Sequence, residues 1–289
     1  MTGLGIAARW LHLIGGLALV GLVAALLLAG RSDRPTARGW QARMVRWGRW
    51  LVVAVLLSGV ATLAYQAAVA TGRPGAALEP SAWLALLGQS RFGTVWLVRQ
   101  GVLLLLAALL LLREREESTA DWVAFRGEAA LLAATGAAAM AWAGHAAAVE
   151  SGGLPLALVD AVHLLAAGAW FGSLLPLVAL LRAGAAEAGA DARPYAVRAV
   201  RAFSRMALAV MLIVVATGLG NAWVQVGSVP ALAGTTYGRL LLLKVALLIP
   251  ILAVAERNRR LLPALSRDGD TVGRPAMRHL GRFVAAEAG

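Results

Sequence analysis

The feature that most constrains this chain is a succession of long apolar segments. Several exceed the roughly 18 consecutive apolar residues that mark a membrane-spanning helix. Hydrophobic residues make up 60% of the 289 residues, and only 15% are charged. The sequence therefore predicts an all-α protein, a polytopic transmembrane helix bundle that forms a single integral membrane domain over residues 1–289.

Seven spans are visible, and a short interfacial helix is expected at residues 81–89, after the breakers Pro74 and Pro80. The chain turns apolar again at residues 283–286, so we expect an eighth span beyond Gly289. The seven spans are predicted at about residues 6–30, 50–70, 92–112, 128–148, 154–181, 206–226 and 237–255.

The charge distribution predicts the orientation of the bundle. The net charge is +12 and is carried almost entirely by arginine, since Lys244 is the only lysine. Arginines concentrate after spans one, five and seven, whereas the loops after spans two, four and six contain few. The positive-inside rule then predicts a periplasmic N-terminus. Because the arginines act as topology signals, no nucleic-acid partner is expected.

Three short matches indicate an internal repeat. Residues 9–15 resemble 161–166, residues 61–66 resemble 216–221, and residues 92–99 resemble 237–244. A unit of four spans crosses the membrane an even number of times, so its copy keeps the same orientation and the repeat is parallel. The halves would be approximately residues 1–150 and 151–289. His12 and His163 then occupy equivalent positions.

The histidines are the main candidate ligands. The chain has no cysteine, which excludes thiolate metal sites, iron–sulfur clusters and disulfides. The predicted topology places His12, His145 and His163 on the outer face, and only His279 on the inner face. Two or three of these imidazoles could bind a late first-row metal such as copper, zinc, iron or nickel.

Other polar residues are weaker candidates. Asp160 lies one helical turn before His163 and could fix its tautomer, while Trp170 shares that helix face. Glu150 is a lesser ligand candidate, and Met140 is discounted because its spacing from His145 puts it on another part of the helix surface.

Simpler interpretations stand beside these. A histidine near an interface often bonds a neighbouring helix, and Gln66 and Asn221 could either line the mouth of a site or bridge helices. Trp170 and the tryptophans near span ends are typical of an interfacial aromatic belt.

Several of these segments resemble one known family. The resembling segments are residues 9–12, 144–146, 160–172 and 237–244, of which Asp160-Ala161-Val162-His163-Leu164-Leu165-Ala166-Ala167-Gly168-Ala169-Trp170-Phe171-Gly172 is the most specific. The chain resembles the copper-resistance protein D family of bacterial inner-membrane proteins over nearly its whole length.

The resemblance implies a function and partners. It implies eight spans and copper import from the periplasm across the bacterial inner (plasma) membrane, without catalysis, beside a periplasmic copper-binding protein of the C type. His12, His145 and His163 would handle the copper ion in a protein embedded in the lipid bilayer. One alternative is a membrane b-type cytochrome, with two histidines as axial ligands of haem b. Another is an assembly or scaffold subunit that transports nothing.

Overall fold

The computed structural model describes residues 2–112, 118–142 and 153–261. Within these ranges all regular structure is helical, which confirms the all-α class. His145, Glu150, His279 and the expected eighth span lie outside the described residues. The helices are α1 (Thr2–Ala29), α2 (Pro35–Thr71), α3 (Pro80–Gln89), α4 (Arg91–Leu112), α5 (Thr119–Trp142), α6 (Gly153–Ala185), α7 (Arg193–Val226), α8 (Val229–Gly234) and α9 (Thr236–Leu261), with 3₁₀ turns at Pro74–Leu78 and Glu187–Ala192.

Six of the described helices are long and apolar enough to cross a membrane, namely α1, α2, α4, α6, α7 and α9. Helix α5 is a seventh long helix of 24 residues, and it packs against α1, α4 and α6. These helices correspond to the seven predicted spans, and α3 corresponds to the short helix expected at residues 81–89. The prediction of a polytopic helix bundle is therefore confirmed.

Three predicted span starts lie well inside helices of the structure. Helix α2 begins at Pro35 rather than near Trp50, α5 at Thr119 rather than near Glu128, and α7 at Arg193 rather than near Met206. The arginine-rich stretches were interpreted as loops, yet arginine is a good helix former. At 1.5 Å per residue, the 37 residues of α2 span about 55 Å, well beyond a hydrocarbon core of about 30 Å. The arginine-rich turns are the part of the helix that exceeds this thickness.

The bundle has two chemically distinct ends. At the histidine end, helices α1 and α6 begin and helices α2 and α7 finish. At the arginine end, α1 finishes at Gly30, whose carbonyl oxygen accepts hydrogen bonds from Gln41 Nε2 (3.2 Å) and from the Tyr195 hydroxyl (2.8 Å). Asp191 Oδ2 accepts the Thr36 backbone N–H at 3.1 Å and so caps α2 from outside that helix. These bonds fix α1, α2 and α7 to one another.

The centre of the bundle is the contact between α1 and α6, the most extensive between any two described helices. Gly21 and Gly172 let the two backbones touch, since a Cβ atom on Gly21 would lie 2.1 Å from the carbonyl carbon of Gly172. The Ser173 hydroxyl lies within hydrogen-bond distance of Gly21 O across the contact (2.9 Å) and of Ala169 O on its own helix (2.7 Å). Small residues commonly permit such close packing between membrane helices.

Positions that the sequence matches between residues 1–150 and 151–289 make similar contacts in the structure. His12 precedes Gly21 by nine residues, and His163 precedes Gly172 by the same number. The turns leading into α4 and α9 also match: a Cβ on Gly93 would meet Leu86 O, and one on Gly238 would meet Ala231 O, each at 2.4 Å. The hydroxyl oxygens that accept the N–H groups of these two glycines belong to Ser90 and Thr235, both at 3.0 Å. These matches support the parallel repeat.

Trp170 is not an interfacial residue. Its side chain is 1% exposed, belongs to the central core and stacks on Phe171. The belt interpretation fits other tryptophans better, because Trp10, Trp50 and Trp223 are all more than half exposed. Trp170 differs because it lies two residues before Gly172, where α6 presses against α1. It therefore packs the bundle centre rather than the membrane surface.

Candidate functional site

His12 lies about three turns from the start of α1, and its side chain faces α2. Its Nδ1 atom is 3.0 Å from Val55 O and 3.0 Å from Ser58 Oγ. Because a carbonyl oxygen can only accept, Nδ1 must carry the hydrogen, and Nε2 of the neutral ring then carries the lone pair. Nε2 is buried and has no hydrogen-bond partner within the described residues. The contacts with α2 therefore orient the imidazole ring and leave the lone pair of Nε2 available to bind a metal ion.

His12 lines a pocket of about 400 Å³ at the histidine end of the bundle. Helices α1, α2, α4 and α5 all contribute to it. Its rim contains exposed Arg9 and Trp10, whereas His12 is only 4% exposed. The lining residues are Ile6, Arg9, Trp10, His12, Leu13, Thr62, Gln66, Phe92, Arg99 and Met140. Gln66, for which the sequence left open a place at the mouth of a site or a bridge between helices, lines this pocket.

Met140 was discounted in the sequence because its spacing from His145 puts it on another part of the helix surface, and His145 lies outside the described residues. In the structure Met140 faces α1 instead: a Cβ atom on Gly16 would lie 2.7 Å from Met140 Cε. The thioether therefore lines the same pocket as His12, which could not be deduced from one helix alone. An imidazole and a thioether are both good ligands for copper, and the sulfur favours Cu(I).

Arg99 is the residue that the sequence reasoning missed. It is 4% exposed, lies inside the apolar helix α4 and lines the pocket with His12. Its Nε atom is buried without a hydrogen-bond partner in the described part of the chain. The sequence contained the signal, since an ionisable residue within a membrane span commonly marks a functional site. In the sequence, Arg99 is also the last residue of the segment 92–99 that resembles residues 237–244.

His163 belongs to a second cluster, between α6 and α7. Its Nδ1 lies 2.8 Å from Thr217 Oγ1, and that hydroxyl donates to Ile213 O at 2.6 Å. The threonine oxygen is therefore left to accept from Nδ1–H, which again leaves the lone pair on Nε2. Asp160 was expected to fix this tautomer, but its Oδ1 accepts from Asn221 Nδ2 instead. Asp160 and Asn221 bridge α6 to α7 beside the histidine.

The predicted site residues thus fall into separate places. His12 and Gln66 share the pocket, whereas His163, Asp160 and Asn221 form the second cluster, and Trp170 lies in the core. His145 and Glu150 lie outside the described residues. Within residues 2–112, 118–142 and 153–261, no three His, Cys, Asp or Glu side chains are grouped as a metal site. The described part of the chain therefore offers two single-histidine positions rather than one assembled imidazole set.

Comparison with known proteins identifies the family. The description "Copper resistance protein D-like, N-terminal domain" matches residues 1–156, and "Copper resistance protein D" matches residues 197–289. The chain belongs to the copper resistance protein D family. The family descriptions refer to copper resistance rather than to a chemical reaction. The resemblance inferred from the sequence is confirmed, and the chain is a copper-related, multi-pass membrane protein.

Three curated relatives are similar to this family member. The Inner membrane protein YebZ of Escherichia coli (strain K12) is 29% identical over 92% of this chain and 87% of its own length. Copper resistance protein D of Pseudomonas syringae pv. tomato is 29% identical over 63% of this chain and 58% of its own. Copper transport protein CutJ of Bacillus subtilis (strain 168) is 31% identical over 64% of this chain and 33% of its own. No solved structure matches the chain.

Proposed function

We propose that the chain imports copper across the bacterial inner membrane and captures the ion in the pocket beside His12. The observation that carries this proposal is the buried Nε2 of His12, which has no partner within the described residues and belongs to a ring held from its other side. Membership of the copper resistance protein D family supports copper as the cargo. The name of the relative from Bacillus subtilis, a copper transport protein, supports transport.

The charge distribution of the two ends supports a periplasmic position for the pocket. Arginines concentrate at the end opposite His12, and the positive-inside rule assigns such an end to the cytoplasm. The pocket then faces the periplasm, together with the N-terminus. Copper would enter from that side, delivered free or by a periplasmic copper-binding protein of the C type.

His12 Nε2 and the Met140 sulfur are the first ligands in this proposal, and Gln66 lies at the mouth. A mixed imidazole and thioether set favours Cu(I). His163 is a second copper-binding position in the other half, oriented by Thr217, with Asp160 and Asn221 bridging its helices. His145, in the predicted last turn of span four, and Glu150, in the predicted loop before span five, are proposed as further ligands.

Uptake into vesicles tests this function. The purified protein is reconstituted into liposomes that contain a Cu(I) indicator, and Cu(I) is added outside. We expect uptake by the wild type and its loss in His12→Ala. His279→Ala is the matched control, since this histidine is predicted on the opposite face, and it should retain uptake. Equal uptake by His12→Ala and the wild type would contradict the proposed capture site.

Haem binding is the competing outcome, because Nε2 of His12 has no partner within the described residues and the Nδ1 contact of His163 leaves the lone pair of that ring on Nε2. Their Nδ1 atoms bond to different helices, α2 and α7, and His163 does not line the pocket of His12. An absorption spectrum of the purified protein separates the two functions. A haem Soret band that disappears in His12→Ala and in His163→Ala would contradict copper import and support a b-type cytochrome.

A further inference from the structure

Arg99 is a buried cation without a partner among the described residues. Burying an unpaired charge in this way raises the free energy of the folded protein. The Arg99 side chain is 4% exposed, and its buried Nε atom makes no hydrogen bond within the described residues. Removing a charge from water costs several kcal/mol unless an opposite charge or hydrogen bonds compensate. A guanidinium retained at such a position, beside a pocket, indicates that an anion completes the site when the pocket is filled.

Other residues that line the pocket are also cationic or able to donate hydrogen bonds. Arg9 adds a second cation at the rim, while Thr62 and Gln66 add hydrogen-bonding groups. No Asp or Glu lines the pocket within the described residues. A bare copper ion beside His12 would be repelled by Arg99 and could not neutralise it. The pocket therefore favours an occupant that includes negative charge.

The geometry of the guanidinium favours one chemical class of anion. Its planar set of N–H donors matches the two oxygens of a carboxylate, and such pairs are often bidentate. The pocket volume of about 400 Å³ is many times the roughly 30 Å³ that one water occupies in the liquid. A small organic acid with two or three carboxylates therefore fits, with one carboxylate at Arg99 and another near Arg9.

We propose that this pocket binds a small di- or tricarboxylate through Arg99, and that this anion neutralises the guanidinium when copper binds beside His12. The second half of this statement rests on the proposed function. The first half does not, because a carboxylate could bind Arg99 in a protein that never handles copper.

Citrate is the probe for the anion site, and the measurement uses the full chain in detergent without copper. Isothermal titration calorimetry should show citrate binding to the wild type. Arg99→Gln should weaken it by at least tenfold, and Arg99→Lys should weaken it less because it keeps the charge but not the planar donor set. Lys244→Gln is the matched control: it removes the equivalent, exposed cation of the other half and should leave citrate affinity unchanged.

A second readout separates loss of binding from loss of folding. Trp10 lines the pocket and is 58% exposed, so citrate should change the fluorescence of the wild type but not that of Trp10→Phe. No citrate response in the wild type, or undiminished affinity in Arg99→Gln, overturns the anion site. Loss of citrate binding in Arg99→Gln supports it even if His12→Ala still binds copper, and that second result would count against the proposed function alone.

Discussion

The contact between α1 and α6 makes the sharpest structural prediction, namely that Gly21→Ala destabilises the bundle. The added Cβ would lie 2.1, 2.3 and 2.4 Å from three backbone atoms of Gly172 and Ser173. An ordinary carbon contact begins near 3.4 Å, so the helices must separate by roughly 1.3 Å. Backbone atoms cannot rotate away as a side chain can, and the whole of α6 must therefore move.

The expected magnitude combines three effects. Overpacking of a well-packed core costs about 1–3 kcal/mol. Weakening of the Ser173 to Gly21 hydrogen bond adds about 0.6 kcal/mol, the average for polar contacts between membrane helices. The better helix propensity of alanine returns about 0.5–1 kcal/mol. We therefore expect a net loss of about 1–3 kcal/mol in the free energy of unfolding.

The assay is reversible unfolding of the purified protein in mixed micelles, followed by circular dichroism. Gly101→Ala in α4 is the matched control, because a Cβ there has nothing within 4 Å. It should stabilise the protein by up to about 1 kcal/mol through helix propensity alone. If Gly21→Ala and Gly101→Ala change the unfolding free energy equally, the close approach of α1 and α6 is refuted.

Three further substitutions test other parts of the account. Trp40→Phe removes the donor to Pro176 O and should lower the unfolding free energy by about 1–3 kcal/mol in the same assay, whereas an unchanged value would contradict this hydrogen bond. Asp191→Ala removes the oxygen that accepts the Thr36 N–H and should cost about 0.5–2 kcal/mol; no loss would show that the cap is unimportant. Met140→Leu should change stability by less than about 1.5 kcal/mol but weaken Cu(I) binding by about tenfold or more, and undiminished Cu(I) affinity in a competition titration would remove the thioether from the site.

The sequence predicted the helices because a membrane span has a simple physical requirement, an uninterrupted apolar stretch of sufficient length. The residues at which the helices begin and end were harder to predict. A helical extension such as residues 35–49 has the composition of a charged loop, and only the structure shows that it continues as helix. The cap from Asp191, supplied by a segment far away in the sequence, could not be predicted locally.

The candidate site was only partly predictable, for the same reason. His12 stood out as a polar residue in an apolar span, and the repeat linked it to His163. Which helix each imidazole faces depends on how α1 and α6 pack, and the sequence does not contain that information directly. Met140 became relevant only when α5 packed against α1, while Arg99 carried a signal that single-sequence reasoning could have used.

Cu(I) affinity of the purified protein tests the central claim most directly. Affinities are determined by competition with a chromophoric Cu(I) chelator for the wild type, His12→Ala and the control His279→Ala. We expect His12→Ala to bind Cu(I) at least about a hundredfold more weakly than the wild type, a difference of about 2.7 kcal/mol, and His279→Ala to match the wild type. Equal Cu(I) affinity in His12→Ala and the wild type would contradict the assignment of this pocket to copper capture.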